Sequence, residues 1–346
     1  MGDKIIPHSR PTLAQAEMES VEAVIQSEYL GWGSKVRQFE YEMCSYVSRK
    51  YAVAVNTGMS ALHLSLIALG VDERFDVIVP SYTCISLLHA IMLVGARPVV
   101  VDVDYSTMNI SLECFKDAIT KKSKAIIVPH MFGYPVLEID KFSEFGVAVI
   151  EDCAASIGGR YRGLKLGSFG KVSIFSFYAT KMLTTGTGGM VSSDDKETIH
   201  RIRQLITRMY YSYQMTDMAA AMGIIQLTKL DDFVAARRIR FNRYVELLKN
   251  ESRILLPVYD DVAQPAYYRF AIRIKGDINK FKDRMKKKGI ECGNGVYQPL
   301  HRLLDLNSRN FPSTEALMRE VVSLPIYPTL KLSEVEYVAN SVLEEL

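Results

Sequence analysis

From about residue 51, apolar strand-like runs alternate with helical segments, and this constrains the fold more than any other feature. YAVAV (51–55) reads as a buried strand, and GMSALHLSLIALG (58–70) as a helix ending at Gly70. Strands follow at 76–80, 97–104, 124–130 and 146–152, with helices at 85–95 and 112–120 between them. Continuous Val/Ile runs separated by helices predict a largely parallel sheet covered on both faces. Two more strands, 172–177 and 188–193, lie too close together for a helical crossover, which predicts an antiparallel insertion. The stretch 216–250 predicts a long helix with a break near Asp231–Asp232. Beyond it, strands at 267–275 and near Ile290 and helices at 278–289, 313–322 and 333–345 predict a smaller α+β unit. The expected division is a large domain over 1–250, which includes the N-terminal segment and the long helix, and a small domain over 251–346.

Composition narrows the classes of function. The 42 Lys and Arg nearly balance the 39 Asp and Glu, a formal net charge of +3. That argues against a nucleic-acid binder, in which basic residues dominate and cluster. The five cysteines are odd in number and never in C-x-x-C spacing, as expected of a reducing compartment without a disulfide framework. MGDKIIPHSR lacks the apolar region of a signal peptide, and Ile6 breaks the myristoylation pattern. No apolar run is long enough to span a bilayer, so a cytoplasmic location is expected. No H-E-x-x-H or G-x-G-x-x-G follows a strand, so neither a metal site nor a dinucleotide site is expected. The basic run KDRMKKKG is read as a solvated helix face.

Ligands of open α/β sheets bind beyond the carboxyl ends of the strands. Three stretches there carry chemistry. NTGMSAL (56–62) turns from strand to helix and would present the N–H groups of Gly58, Met59 and Ser60 at a helix N-terminus, a phosphate cradle or an ordinary N-cap. IEDCAAS (150–156) ends a buried strand on Asp152, whose carboxylate needs a cation or a strong donor, or is an ordinary cap. In SFYATK (176–181), Lys181 follows a buried strand, where desolvation frees an amine for Schiff-base chemistry; a surface turn is the plain alternative. A phosphate cradle, a strand-end aspartate and a lysine are together the protein parts that pyridoxal 5'-phosphate (PLP) requires.

With these parts in view, the chain resembles the DegT/DnrJ/EryC1/StrS family of PLP-dependent sugar aminotransferases, of the fold-type I aminotransferase architecture. The resemblance runs through IPHSRPTL and LGWGSKVRQFE, NTGMSALHLSL, VPSYT, HMFGYP, EDCAASIGG, GSFGKVSIFSFYATKMLTTGTGGMV, SYQMTDMAAAMGIIQL, YQPLH and LPIYP, in order. It implies that Lys181 is the Schiff-base lysine and proton shuttle and that Asp152 pairs with the pyridine nitrogen. It implies that Ser176, with Gly58, Met59 and Ser60, holds the phosphate. Cys84 and Ala155 would border the cofactor ring, and Trp32, Tyr178 and His301 would meet substrate. It further implies a homodimer with shared sites, in which the partner subunit's equivalent of the segment around Ser212 reaches the phosphate.

Four positions depart from the family pattern. Met59 stands where Thr is usual, Cys84 where an aromatic residue is usual, Ala155 where Gln or His is usual, and Ser212 where Asn is usual. The connection from Arg203 to Tyr210 is short. Tyr82 or Tyr178 is expected to cover the ring in place of the missing aromatic, the alternative being an open pocket for a bulkier substrate. Retention of Lys181 argues against the family's dehydratase branch. The expected activity is transfer of an amino group, from L-glutamate, to a keto-sugar nucleotide. A cyclitol-like ketone as acceptor, and a PLP-binding regulator without turnover, are the alternatives.

Overall fold

The computed structural model describes residues 5–208, 210–257 and 262–346. The first four residues of the start segment, and Met209 of the short connection, lie outside the described residues. The large sheet contains β1 (Tyr51–Val55), β2 (Asp76–Pro80), β3 (Arg97–Val101), β4 (Ser123–Pro129), β5 (Ala148–Asp152), β6 (Val172–Ser176) and β7 (Gly189–Ser193). Its seven strands run in the order β1-β7-β6-β5-β4-β2-β3. Pairings from β3 through β6 are parallel, whereas β7 is antiparallel to both β6 and β1. The expected antiparallel insertion is therefore β7, and it lets the chain return to the β1 edge without a helical crossover.

Helices cover both faces. One face carries α1 (Gln15–Gln26), α2 (Ser34–Val47) and α7 (Asp217–Thr228); the other carries α3 (Gly58–Ala68), α4 (Ile85–Leu93) and α6 (Lys196–Thr207). The α3 sequence GMSALHLSLIA is apolar nearly all round, as befits a helix sandwiched between the sheet and α4 and α6. A short helix, α5 (Leu112–Ala118), precedes β4. The long helical stretch breaks at Lys229, slightly before the expected place, and resumes as α8 (Leu230–Leu248). Asp231 and Asp232 fall in the first turn of α8, where carboxylates suit the helix dipole, so they start the second helix rather than end the first.

The smaller sheet runs β8 (Ile254–Leu255), β9 (Phe270–Ile274), β11 (Val321–Leu324), β10 (Gly293–Asn294), all antiparallel. Its helices are α9 (Ile278–Lys287), α10 (Leu300–Leu303), α11 (Pro312–Glu320) and α12 (Leu332–Glu345). Two expectations change here. The helix expected over 313–322 stops at Glu320, and Val321–Leu324 form the central strand of this sheet. No turn residue separates the two, and the β-branched pair Val321–Val322 has its strand preference realised only by pairing on both sides. Ile290 makes a lone parallel bridge with Ile6, and the strand proper begins at Gly293. The core of this unit takes Ile6 from the start of the chain and Phe241, Tyr244 and Leu248 from α8. Among the described residues, no helix is long and apolar enough to cross a membrane.

Candidate active site

Asp152 is the last residue of β5, and strand register decides its surroundings. It pairs with Ile174 of β6, and Glu151 pairs with Ser173. Side chains alternate across a strand, so Asp152 and Ser176 share one face of the sheet while Glu151 and Ser173 share the other. The Glu151 face is closed. Its carboxylate accepts from the N–H groups of Gly167 (2.6 Å), Phe169 (2.8 Å) and Gly170 (3.0 Å) and from Ser173 Oγ (3.0 Å). His130 Nδ1 accepts the Val136 N–H (2.9 Å), which leaves Nε2 to donate to Glu151 (3.2 Å). Burial pushes the Glu151 carboxyl up, but the bonds from His130, Gly167 and Gly170 outweigh it and hold the group at about 2. Glu151 therefore fixes the GSFG loop that feeds β6. Sequence reasoning gave it no role.

The Asp152 face is far more sparsely bonded. The side chain is buried, and its only hydrogen bond among the described residues comes from the Ala154 N–H (2.9 Å). Burial raises its pKa, only partly opposed by Ala154 and by the charge of Lys181. A carboxylate in this state lacks a cationic partner.

Beside it, Thr57 caps α3, accepting the Ser60 N–H (3.0 Å), and Ser60 Oγ donates to Asn56 Oδ1 (2.7 Å). The Gly58 and Met59 N–H groups form the first turn of α3, which has no intrahelical partners for them. Gly58 lies directly on Ser176: a Cβ there would stand 2.8 Å from Ser176 Cβ. Gly189 of the GTGG run passes beneath the same turn, where a Cβ would come within 2.3 Å of the Thr57 carbonyl oxygen. These glycines serve close approach rather than nucleotide binding. Lys181 closes a tight turn, its N–H donating to the Tyr178 carbonyl (2.9 Å). Its Nζ has no hydrogen bond or ion pair among the described residues and lies 5.2 Å from the centroid of the Tyr268 ring. Arg269 covers the same ring at 4.4 Å, and its Nη2 donates to the Tyr268 hydroxyl (3.0 Å). Burial pushes the Tyr268 phenol up, but Lys181 and Arg269 pull it down to about 8. Nothing in the strand-like YYRFAIRIK distinguishes Tyr268 before the fold brings it to Lys181.

Cys84 is exposed at the start of α4, and Ala155 is half-buried beyond β5. Tyr82 is not the expected cover for the ring. It is fully buried in the core of the small unit, edge-on to Phe132, with its hydroxyl against Gly295. Tyr178 is 56% exposed. Trp32 packs partly buried against the large-sheet cores, 5.8 Å below the Arg203 guanidinium. The His301 side chain is fully engaged. Its ring is buried and stacked on Phe311 at 4.3 Å, and its nitrogens meet Ser81 Oγ (2.7 Å) and Glu315 Oε1 (2.9 Å), leaving neither for a substrate. Ser212 is exposed, while its carbonyl accepts from Asn56 Nδ2 (3.3 Å) and the Tyr213 carbonyl accepts from the Asn56 N–H (2.8 Å).

The residues present fit PLP: a buried carboxylate short of a cation, an unpaired lysine amine, and a helix N-terminus with a serine at its mouth. The model of the DegT/DnrJ/EryC1/StrS aminotransferase family matches residues 11–343. The chain is 32% identical to the GDP-perosamine synthase of Escherichia coli O157:H7, over 99% of this chain and 98% of that one. Its fold is similar to that of the aminotransferase TlmJ from Streptoalloteichus hindustanus, with a TM-score of 0.94, 29% identity and 99% of each chain covered. It is also similar to the PLP form of the putative sugar aminotransferase Spr1654 from Streptococcus pneumoniae, with a TM-score of 0.93, 25% identity, and 99% of this chain and 100% of that one covered. The chain thus belongs to the DegT/DnrJ/EryC1/StrS aminotransferase family and is a PLP-dependent transaminase.

Proposed function

We propose that this transaminase moves an amino group from L-glutamate to the keto carbon of a nucleotide-linked sugar, with Lys181 as its cofactor-anchoring and proton-carrying residue. The observation that carries the reading is the meeting, at one end of the large sheet, of an unpartnered lysine, a cation-seeking aspartate and a helix N-terminus. The sugar acceptor is supported by the GDP-perosamine synthase relative. When bound, PLP supplies the electron sink that makes a substrate carbon–hydrogen bond acidic. The Asp152 carboxylate would hold the ring nitrogen in its protonated form and so gain the cation its burial demands. The Gly58 and Met59 amides and Ser176 Oγ would hold the phosphate at the positive end of α3. Lys181 Nζ takes a proton from the substrate carbon of the donor and returns one during amination of the acceptor. Exposed Tyr178 offers an aromatic edge to the sugar.

The same reading places the working site in a homodimer. Large apolar side chains stand exposed on the α1–α2 region, among them Met18, Tyr29 and Tyr41. The exposed Ser212 lies on a segment stitched by its backbone to Asn56, so its side chain is available to a second copy.

Separate half-reactions test the substrates. A panel of amino acids should show L-glutamate converting the cofactor fastest. The aminated enzyme should then be discharged by a nucleotide-linked keto-sugar and not by the free sugar or a cyclitol ketone. Discharge by the cyclitol ketone alone would overturn the acceptor assignment.

A further inference from the structure

We propose that Tyr268 is the positioning residue for the amine of Lys181: its ring holds Nζ while the lysine is off the cofactor and stabilises the charge that Nζ gains on taking a proton. The inference rests on the function proposed above. Lys181 Nζ has no hydrogen bond or ion pair among the described residues, and it lies over the Tyr268 ring, 5.2 Å from the centroid.

The fold aims that ring. Tyr267, just before it, has φ +57°, a left-handed conformation that a bulky residue rarely takes. The Ala266 N–H donates to the Gly133 carbonyl (2.9 Å) and the Arg269 N–H to the Phe132 carbonyl (3.2 Å). The Tyr268 carbonyl accepts from Arg237 Nη1 (3.1 Å). Gly133 packs directly on Tyr268: a Cβ there would stand 3.0 Å from its nitrogen and 3.1 Å from its Cβ. Arg269 Nη2 donates to the Tyr268 hydroxyl (3.0 Å), and Arg269 Nη1 donates to His8 Nδ1 (3.1 Å). Backbone strain maintained by so many contacts marks a side chain whose placement matters.

The chemistry gives the placement a purpose. In the donor half-reaction the incoming amine replaces Lys181 on the cofactor, nitrogen for nitrogen, and releases Nζ as a free amine. Nζ then takes the proton of the substrate carbon, the bonding electron pair stays with the substrate and its cofactor sink, and Nζ becomes an ammonium. An aromatic face attracts an ammonium within about 6 Å and does little for a neutral amine. The ring therefore favours the state after proton removal over the state before it, which speeds the step. Arg269, a second cation on the same ring at 4.4 Å, opposes a permanent charge there, as suits a proton that has to be returned.

Single-turnover donor half-reactions test this, with the amino acid that converts the cofactor fastest, in protiated and α-deuterated form. Tyr268→Met removes the ring face. It should slow the saturated rate by about 10-fold, with a primary isotope effect on the slowed step and PLP affinity within about twofold of wild type. Tyr268→Phe keeps the face and should stay within about threefold of the wild-type rate. Should Tyr268→Met fail to fold, phenylalanines of increasing fluorine content at position 268 keep the shape while weakening the negative face, and the rate should fall stepwise with fluorine count. Borohydride labelling of Lys181 in each variant checks the reading beneath: no label there would overturn both. With Lys181 labelled, a wild-type rate in Tyr268→Met, a slowed step without an isotope effect, or a rate indifferent to fluorine would overturn this proposal alone.

Discussion

A buried carboxylate with one hydrogen bond is expensive, and on the proposed function a bound cofactor would complete Asp152. Asp152→Asn keeps the shape and removes the charge. The donor half-reaction should slow by at least about 100-fold, roughly 3 kcal/mol of barrier; near-normal turnover would reduce Asp152 to a cap for Ala154. Its neighbour Glu151 makes the opposite prediction, because its partners are already present. Glu151→Gln sets an amide NH₂ against backbone donors and should cost about 3 kcal/mol of stability, read by denaturant unfolding. The Glu151 pKa is depressed in the folded protein, so its stabilisation is complete above its ordinary value near 4.5 and is lost as pH falls towards about 2. The stability–pH slope of wild type in that window should be shallower in Glu151→Gln.

Among the elements, the proposed wall of the cofactor site, with Cys84 and Ala155, departs most from the family pattern. Tyr82 is committed to the core of the small unit, whereas Tyr178 is 56% exposed. In the double variant Cys84→Phe, Ala155→Gln, PLP should bind more tightly by about 1–2 kcal/mol, read by absorbance titration. The donor half-reaction should survive while acceptor turnover falls; retention of both would show that the open space serves no substrate. The strands of the large sheet were legible in the sequence, since buried parallel strands read as apolar runs, and the three stretches singled out there fall at strand ends or at a helix start. The strand 321–324 was not, because its neighbours in space lie far away in sequence. Tyr268 and Arg237 were illegible for the same reason: only the docking of α8 and β9 onto the Lys181 turn gives them their neighbours. That both ring nitrogens of His301 are taken, by Ser81 and Glu315, was likewise not legible in the motif.

For the whole molecule, the proposed function carries a homodimer with it. Sedimentation at micromolar concentration should give a homodimer, near twice the 39.0 kDa of the chain; a monomer would remove the partner's contribution to the site. The turn that carries Lys181 follows a strand of the large sheet, and its amine meets the Tyr268 ring just before a strand of the small one, so the lysine's surroundings draw on both units. The most direct measurement is borohydride reduction of the purified, PLP-saturated protein, followed by peptide mapping, beside Lys181→Ala treated identically. The account predicts one reduced cofactor per chain, on the peptide containing Lys181, and none in the variant, which still binds PLP through its phosphate. A label on another lysine, or an unlabelled Lys181 in saturated protein, would contradict it.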